Sequence, residues 1–209
     1  MTKENNEKKG RTQRIMNTTN TNNDKYNTIK KINRGRIVTP VGKAYWAYLD
    51  KPEEFNGQPT NNYSIQVEFT KEGTQALKSE LLRVLEEAKQ APKFSGKPWK
   101  REPNISLKEG KDNSVRFKFT SKVSYIDRTT HEEKPINIQL FNSKRDRLKP
   151  SDTPIPVGSK VQICFKPVPY HINRNNNGIK LQLEALLLLE EATNEDTNYP
   201  SASSYGLTD

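Results

Sequence analysis

The sequence predicts a mainly β fold, a small closed or partly closed barrel that carries one amphipathic helix. Three observations predict it. Residues 62–69 and residues 114–125 alternate between apolar and polar side chains, as half-buried strands do. Residues 74–91 change to a helical period. Short strands at loop spacing with a single helix are typical of a barrel rather than of a layered α/β fold.

The first elements follow in order from local signals. Residues 35–50 indicate a strand that can bend near Pro40 and Gly42. The loop 51–59 contains an Asn-Gly turn signal, and the alternating strand 62–69 comes after it. The helix 74–91 follows that strand, and we expect Pro92 to end it.

The second half continues as loops and strands. A long basic loop over 92–113 leads into the strand 114–125, and Ile136, Ile138 and Leu140 mark another strand. The segment 143–158 is basic and rich in proline. The last two strands are predicted at the following positions, with a hairpin at 175–178 between them: 161–165 and 179–183.

The net charge of the chain indicates which classes of partner to expect. The 209 residues carry a formal net charge of +10 and a pI of about 9.5. This balance favours an anionic partner, with nucleic acid first and an anionic membrane surface second. No apolar run reaches the roughly 18 residues of a membrane span, and the first 28 residues contain no apolar signal region. We therefore expect an intracellular protein, not secreted and not in a membrane.

Charge also divides the chain into three parts. Residues 1–31 have a net charge of +5 and a polar Asn/Thr run, which predicts a disordered basic arm. Residues 190–209 contain five acids and no base, which predicts a flexible acidic tail. The nucleic-acid-binding domain is predicted between them, over 32–189. The tail can act as an internal competitor for the anion or as a solvated end, and charge alone leaves both open.

Signals for catalysis are weak. The segment from Gly35 to Lys43 lacks the spacing of a phosphate loop, and His131 and His171 have no paired ligand spacing. The single cysteine, Cys164, excludes an internal disulfide and a cysteine-clustered zinc site. We predict no catalytic residue, no metal site and no cofactor. A nuclease that uses Asp127 with Glu132 is kept as a rival, although a charged hairpin turn is the simpler interpretation.

Basic and aromatic residues interleave along the chain, as binding of single-stranded nucleic acid requires. Cationic side chains neutralise the phosphates, and aromatic rings stack on the nucleobases. On the strand 114–125, Arg116, Lys118 and Lys122 share the polar face, which predicts an outward basic ribbon. Tyr45 and Trp46 should point to opposite faces, so one of them lies outside the core. The other candidates lie in loops or at strand ends: Lys97, Trp99, Lys100, Arg101, Phe141, Lys160, Lys166 and Tyr170.

The order of these elements resembles the single-stranded DNA-binding proteins of tailed phages. The resemblance covers roughly residues 34–190 and is closest at Gly158-Ser-Lys-Val161 and at Gly178-Ile-Lys-Leu-Gln-Leu183. It implies an OB-fold-like five-stranded barrel with an inserted helix. The chain departs from the family at its end, Ser204-Tyr-Gly-Leu-Thr-Asp209, which has sparse acids and no terminal aromatic.

The resemblance implies a non-enzymatic protein that binds single-stranded DNA in phage replication, recombination or repair. Replication or recombination proteins would be recruited through the acidic tail, and a homodimer stays open. Two binding rivals stay open beside the nuclease. One is a virion structural or genome-packaging protein, and the other is an RNA-binding module of the same fold.

Overall fold

The computed structural model describes residues 28–109 and 114–193. The described chain is mostly strand with one α-helix, α1 (Lys71–Gln90), which confirms the predicted fold class. The strands in chain order are β1 (Lys30–Ile32), β2 (Arg36–Val38), β3 (Gly42–Tyr48), β4 (Glu54–Phe55), β5 (Gln58–Pro59), β6 (Asn62–Glu68), β7 (Leu107–Glu109), β8 (Val115–Lys122), β9 (Ser124–Ile126), β10 (Glu133–Pro135), β11 (Gln139–Phe141), β12 (Arg147–Leu148), β13 (Lys160–Asn173) and β14 (Asn176–Glu190). Most of the predicted basic arm and acidic tail lies outside the described residues.

Five strands form a closed ring in the order β3-β6-β8-β14-β13, with β13 returning to β3. This order is that of an OB-fold barrel, in which the third strand pairs with the fifth and the fourth closes on the first. Two seams of the ring are short. The ladder of β13 with β3 joins Lys160 to Lys43 and Val161 to Gly42. The parallel ladder of β8 with β14 begins at the pair of Phe119 and Leu181.

The inside of the ring is filled by the alternating apolar side chains that the sequence predicted. Ile65, Val67, Phe117 and Phe119 are fully buried, and Phe165 of β13 meets Phe119 at 5.2 Å between ring centroids. The helix α1 packs its leucine face against β13 and β14. Burial of this apolar surface is the main favourable contribution to folding.

The helix begins three residues earlier than predicted. The Thr70 hydroxyl accepts a hydrogen bond from the Gly73 backbone N–H at 3.1 Å, so Thr70 is the N-cap. Leu77, Leu81 and Leu85 are its buried face, as predicted. The sequence signal for this start is the threonine that precedes a polar first turn. Hydrophobic periodicity alone does not detect such an N-cap.

The hairpin of β13 and β14 is much longer than predicted, and its turn lies at Arg174–Asn175 instead of 175–178. The prolines Pro167 and Pro169 argued against a continuing strand. They are tolerated because β13 pairs only with β14 at this point, so its other edge needs no N–H donor. Gly178 belongs to β14 and has φ of 152°, with the backbone of Asn104 crossing where a Cβ would stand.

Two further boundaries differ from the sequence predictions. The alternation of 114–125 ends at Lys122, and the chain then forms a separate hairpin of β9 with β10. Tyr125 is therefore half exposed instead of facing the core. The strand expected at Ile136–Leu140 is shifted to β11, although Ile138 and Leu140 are buried as expected. The Asn56-Gly57 turn is present between β4 and β5.

No helix within the described residues is long and apolar enough to cross a membrane.

Candidate nucleic-acid interface

The outer face of β3, β6 and β8 brings polar and aromatic side chains into rows across the three strands. One row consists of Tyr45, Gln66 and Lys118, and the next consists of Lys43, Glu68 and Arg116. Paired residues of neighbouring strands project to the same side of a sheet, so each row is a contiguous patch. We call this surface the outer face.

A β-bulge turns Trp46 onto the outer face. Between Tyr45 and Tyr48 the register of β3 against β6 slips by one residue, and Trp46 has φ of 42°. The ring of Trp46 lies 5.9 Å from that of Tyr45 and is 49% exposed. Trp46 therefore lies outside the core, as expected. The prediction that Tyr45 and Trp46 point to opposite faces is wrong, because the bulge breaks the alternation.

Arg116 is the centre of this aromatic cluster. Its guanidinium lies 3.9 Å from the ring centroid of Tyr45 and 4.9 Å from that of Trp46. Its Nε is 3.6 Å from a carboxylate oxygen of Glu68. Burial, together with the Glu68 carboxylate, raises the pKa of Tyr45, so the phenol stays neutral beside the ion pair.

The prediction that Arg116 projects outward as part of a basic ribbon is wrong, because Arg116 is only 4% exposed. Alternation assigns a residue to a face of the strand but does not say what covers that face. Here Tyr45 and Trp46 cover the guanidinium. A buried charge that is stacked and paired holds its neighbours in place, so the geometry gives Arg116 a positioning role.

Lys118 lies in the neighbouring row and is also paired. Its Nζ lies 2.5 and 2.6 Å from the two carboxylate oxygens of Glu53, which comes from the loop between β3 and β6. The backbone of Glu53 is fixed as well, since its N–H donates to the carbonyl of Asn62 and its carbonyl accepts from Thr60. The loop therefore packs on the outer face, and its Glu53 carboxylate forms an ion pair with Lys118.

Lys122 ends β8 and is exposed. Desolvation lowers the pKa of Lys180 on β14, and the positive charge of Lys122 lowers it further. The positive charges of Lys122 and Lys180 are near enough to interact, and two such charges attract an anion more strongly than either does alone.

A second cluster forms where the basic loop packs on the tip of the long hairpin. His171 Nε2 lies 2.9 Å from the Pro98 carbonyl oxygen, and the Trp99 ring packs edge-on against His171 at 5.2 Å and against Phe94 at 5.6 Å. The backbone of Lys100 donates to the side chain of Asn177. Lys97, Lys100 and Arg101 are exposed along this loop.

Trp99 is half buried against the core, and its Nε1 is buried with no acceptor in the part of the chain that the structure describes. Much of its ring is therefore used to anchor the loop, which leaves less of it for stacking. Its predicted contact with nucleic acid stays a prediction.

The structure separates the remaining predicted residues from the outer face. Phe141 is half buried and lines an apolar surface groove with Ile32 and Cys164, whose thiol pKa is raised by burial. Lys160 lies 2.7 Å from Glu190 in an exposed ion pair. Lys166 is exposed on β13 opposite Gln182, and Tyr170 is half buried opposite Gly178. The structure does not bring these four residues together into one site, and their contact with nucleic acid stays a prediction.

Three aromatic residues that the sequence reasoning did not select are exposed: Tyr48, Phe55 and Tyr125. Tyr48 follows Trp46 on β3, and Phe55 projects from the hairpin of β4 with β5. A usable signal existed, since Tyr48 belongs to the same aromatic cluster as Trp46 and Phe55 directly precedes the Asn-Gly turn.

Asp127, one of the two acids of the rival nuclease hypothesis, has a local structural role. Asp127 lies 2.6 Å from the Lys134 Nζ and accepts hydrogen bonds from the backbone N–H groups of Thr129 and Thr130. The Lys134 contact, followed by these backbone donors, lowers the pKa of Asp127. The group therefore stabilises the β9–β10 turn. Within residues 28–109 and 114–193, no group of three acids, histidines or cysteines is arranged to hold a metal ion.

The five-stranded ring, the inserted helix and an aromatic, partly basic outer face define an OB-fold barrel of the kind that binds oligonucleotides on its second and third strands. A family model described as the single-stranded DNA-binding protein of bacteriophage T7 matches residues 41–191. That match spans more than half of the chain, so the protein belongs to this family.

Individual relatives agree with the family. The single-stranded DNA-binding proteins of Enterobacteria phage T3 and Escherichia phage T7 are each 29% identical over 171 residues, which is 71% of this chain and 72% of theirs. The crystal structure of gp2.5, a single-stranded DNA-binding protein encoded by bacteriophage T7, has a TM-score of 0.60 and 26% identity, and covers 81% of this chain and 99% of its own. The single-stranded DNA-binding protein of bacteriophage Enc34 in complex with single-stranded DNA is 18% identical, with a TM-score of 0.55. It covers 78% of this chain and 94% of its own, and supports the fold.

Proposed function

We propose that this protein binds single-stranded DNA on the outer face of β3, β6 and β8 and acts in phage DNA replication, recombination or repair. The half-exposed ring of Trp46, held beside Arg116, is the observation that carries the proposal. A ring fixed with one face in solvent is a platform for an unpaired base, and such stacking contributes about 1–3 kcal/mol per base.

Lysine and arginine side chains around this platform would neutralise the phosphates. Lys108 is paired with Arg116, and Lys43 lies beyond Glu68 at the other end of the same row. Lys122 ends β8, and its charge reaches Lys180 of β14. The basic loop adds Lys97, Lys100 and Arg101 beside the hairpin tip. These contacts read charge instead of base identity, so we expect little sequence preference.

The family is one of binding proteins, and the role proposed here is non-enzymatic. The relatives named above are single-stranded DNA-binding proteins by name. Asp127, one of the two acids of the rival nuclease hypothesis, is engaged in a turn. Binding to replication or recombination proteins through residues 190–209, and formation of a homodimer, are parts of the proposal supported by charge and by family resemblance alone.

A binding panel tests the proposal. Single-stranded DNA, duplex DNA and RNA of equal length are titrated at two salt concentrations, with tryptophan fluorescence as the readout. We expect tight, salt-dependent binding to single-stranded DNA, weaker binding to duplex and quenching of the emission. Equal affinity for duplex would favour the packaging role instead, and a preference for RNA would favour an RNA-binding module.

A further inference from the structure

The basic, proline-rich segment 143–158 is not used by the outer face, yet part of it lines a groove opposite the loop that follows β3. Two adjoining cavities of about 540 and 350 Å³ share Leu49, Asp50, Pro150 and Ser151. Together they form one continuous depression between the loop that follows β3 and this segment. We call it the end groove.

The end groove combines ring faces with positive charge. Tyr48 and Tyr63 line it from β3 and β6, and Lys51, Arg147 and Lys149 line its rim. Asp50 is the carboxylate that faces both cavities. The lining therefore has an excess of bases over acids, and its floor is apolar, with Leu49 and Ile138 buried beneath it.

The end groove begins where the proposed stacking platform ends. Tyr48 lies two residues beyond Trp46 on β3. Tyr48 is 40% exposed and lines the second cavity. A strand of nucleic acid that leaves Trp46 in this direction meets Tyr48. It then meets the basic side chains of the rim, Lys51, Arg147 and Lys149.

We propose that the end groove is a second subsite for single-stranded DNA, which takes a nucleotide beyond the one stacked on Trp46. Arg147 and Lys149 hold its phosphates, and Tyr48 or Tyr63 provides a face for its base. A cavity of some hundreds of cubic ångströms is of the size that accommodates a small organic ligand such as a nucleotide. The inference rests on the proposed function and extends it to residues that neither the family match nor the outer face assigns.

The test compares two double variants with the same loss of charge. Arg147→Gln with Lys149→Gln removes both rim bases, and Lys144→Gln with Arg145→Gln removes two exposed bases of the same segment outside the end groove. Each is titrated with oligonucleotides of about 4 and about 12 nucleotides, which bracket the lower range of OB-fold site sizes. Trp46 fluorescence is recorded in a Trp99→Phe background.

We expect the rim variant to bind the short oligonucleotide as the parent does. On the long one, the slope of log affinity against log salt should fall by about 1.4, or 0.7 for each lost phosphate contact. The control variant should change much less. Quenching of Trp46 should persist in both variants, which shows that the outer face still binds. A long oligonucleotide containing 5-bromouracil should photo-crosslink to Tyr48 or Tyr63.

Three results would overturn the inference. The first is an equal loss of salt dependence in both double variants, which would indicate general attraction to the segment. The second is a set of crosslinks confined to Tyr45 and Trp46. The third is failure of the parent to bind single-stranded DNA of either length, in which case the proposed function fails as well.

Discussion

Glu53 places its carboxylate on Lys118, and both oxygens lie within 2.6 Å of the lysine Nζ. The lysine comes from β8 of the outer face, whereas the glutamate comes from the loop between β3 and β6 that covers it. A carboxylate in this position occupies a site that a phosphate oxygen would otherwise take. Binding of DNA would therefore require an exchange of one anion for another.

Substitution Glu53→Gln should tighten single-strand binding at low salt, because Lys118 then becomes available to a phosphate. The slope of log affinity against log salt should become steeper by about 0.7. Glu54→Gln is the matched control, since Glu54 is the exposed neighbour on the same loop and the charge change is identical. An identical response of the two variants would show that the ion pair has no specific effect.

Arg116→Ala should destabilise the fold by about 3 kcal/mol, since it leaves Glu68 without the guanidinium in a partly buried position and removes the packing of Tyr45. Arg116→Lys keeps the charge but not the planar stacking face, so it should recover only part of the loss. Urea unfolding measures both. Lys122→Ala, at an exposed strand end, should stay within about 0.5 kcal/mol of the parent. Equal effects at Arg116 and Lys122 would contradict the positioning role.

Trp46 and Trp99 are the only tryptophans in the chain, so single-tryptophan variants separate their signals. With Trp99→Phe, the emission comes from Trp46, and we expect strong quenching on addition of single-stranded DNA. With Trp46→Phe, the emission comes from the half-buried Trp99, and the quenching should be smaller. Trp46→Ala should weaken binding by about 1–3 kcal/mol. Stronger quenching of Trp99 than of Trp46 would move the stacking site to the basic loop.

Gly178→Ala should destabilise the protein by roughly 3 kcal/mol or more, because a Cβ at this position would stand 1.9 Å from the Asn104 carbonyl oxygen. Relief of that clash would separate the basic loop from the hairpin. Gly57→Ala is the control: it has φ of 74° but no neighbouring atom within 4 Å, so only backbone strain of about 1 kcal/mol applies. Thermal unfolding of both variants makes the comparison. A Gly178 variant as stable as the Gly57 variant would show that the loop contact yields easily.

Truncation after Thr193 should tighten single-strand binding at low salt, because residues 194–209 carry three acids and no base. The cut is placed there because the Ala192 N–H donates to the Ser159 hydroxyl and belongs to the barrel. The gain should vanish as salt screens both forms. Identical binding of the truncated and full-length proteins at low ionic strength would make the tail a solvated end.

The fold could be predicted from the sequence where one period dominates. The strand at 62–69 and the leucine face of α1 were found because burial imposes a strict alternation or a strict helical spacing on the side chains. The length of the last hairpin was not found, because Pro167 and Pro169 are unfavourable in a strand unless one edge is unpaired. Edge pairing is a property of the folded topology.

The candidate site was predictable in its composition but not in its geometry. Trp46 was selected because two adjacent aromatics on a strand cannot both be in the core, yet the bulge that places it beside Tyr45 has no local signal. Arg116 and Lys118 were correctly placed on one strand face, but their partners Glu68 and Glu53 lie 48 and 65 residues away in sequence. Such long-range pairing cannot be inferred from a local pattern.

The two short seams of the ring have a consequence for its motion. The sheet of β3, β6 and β8 and the long hairpin of β13 and β14 are each held by extended ladders, whereas few ladder pairs join one to the other. Transient separation at a seam breaks fewer hydrogen bonds than unravelling of either piece, so its opening free energy is lower. Amide hydrogens of Gly42 and Val161 should thus exchange with solvent sooner than those in the middle of β6. The sheet of β3, β6 and β8 and the hairpin of β13 and β14 would each move as a rigid unit. The barrel would open first where these two units are joined.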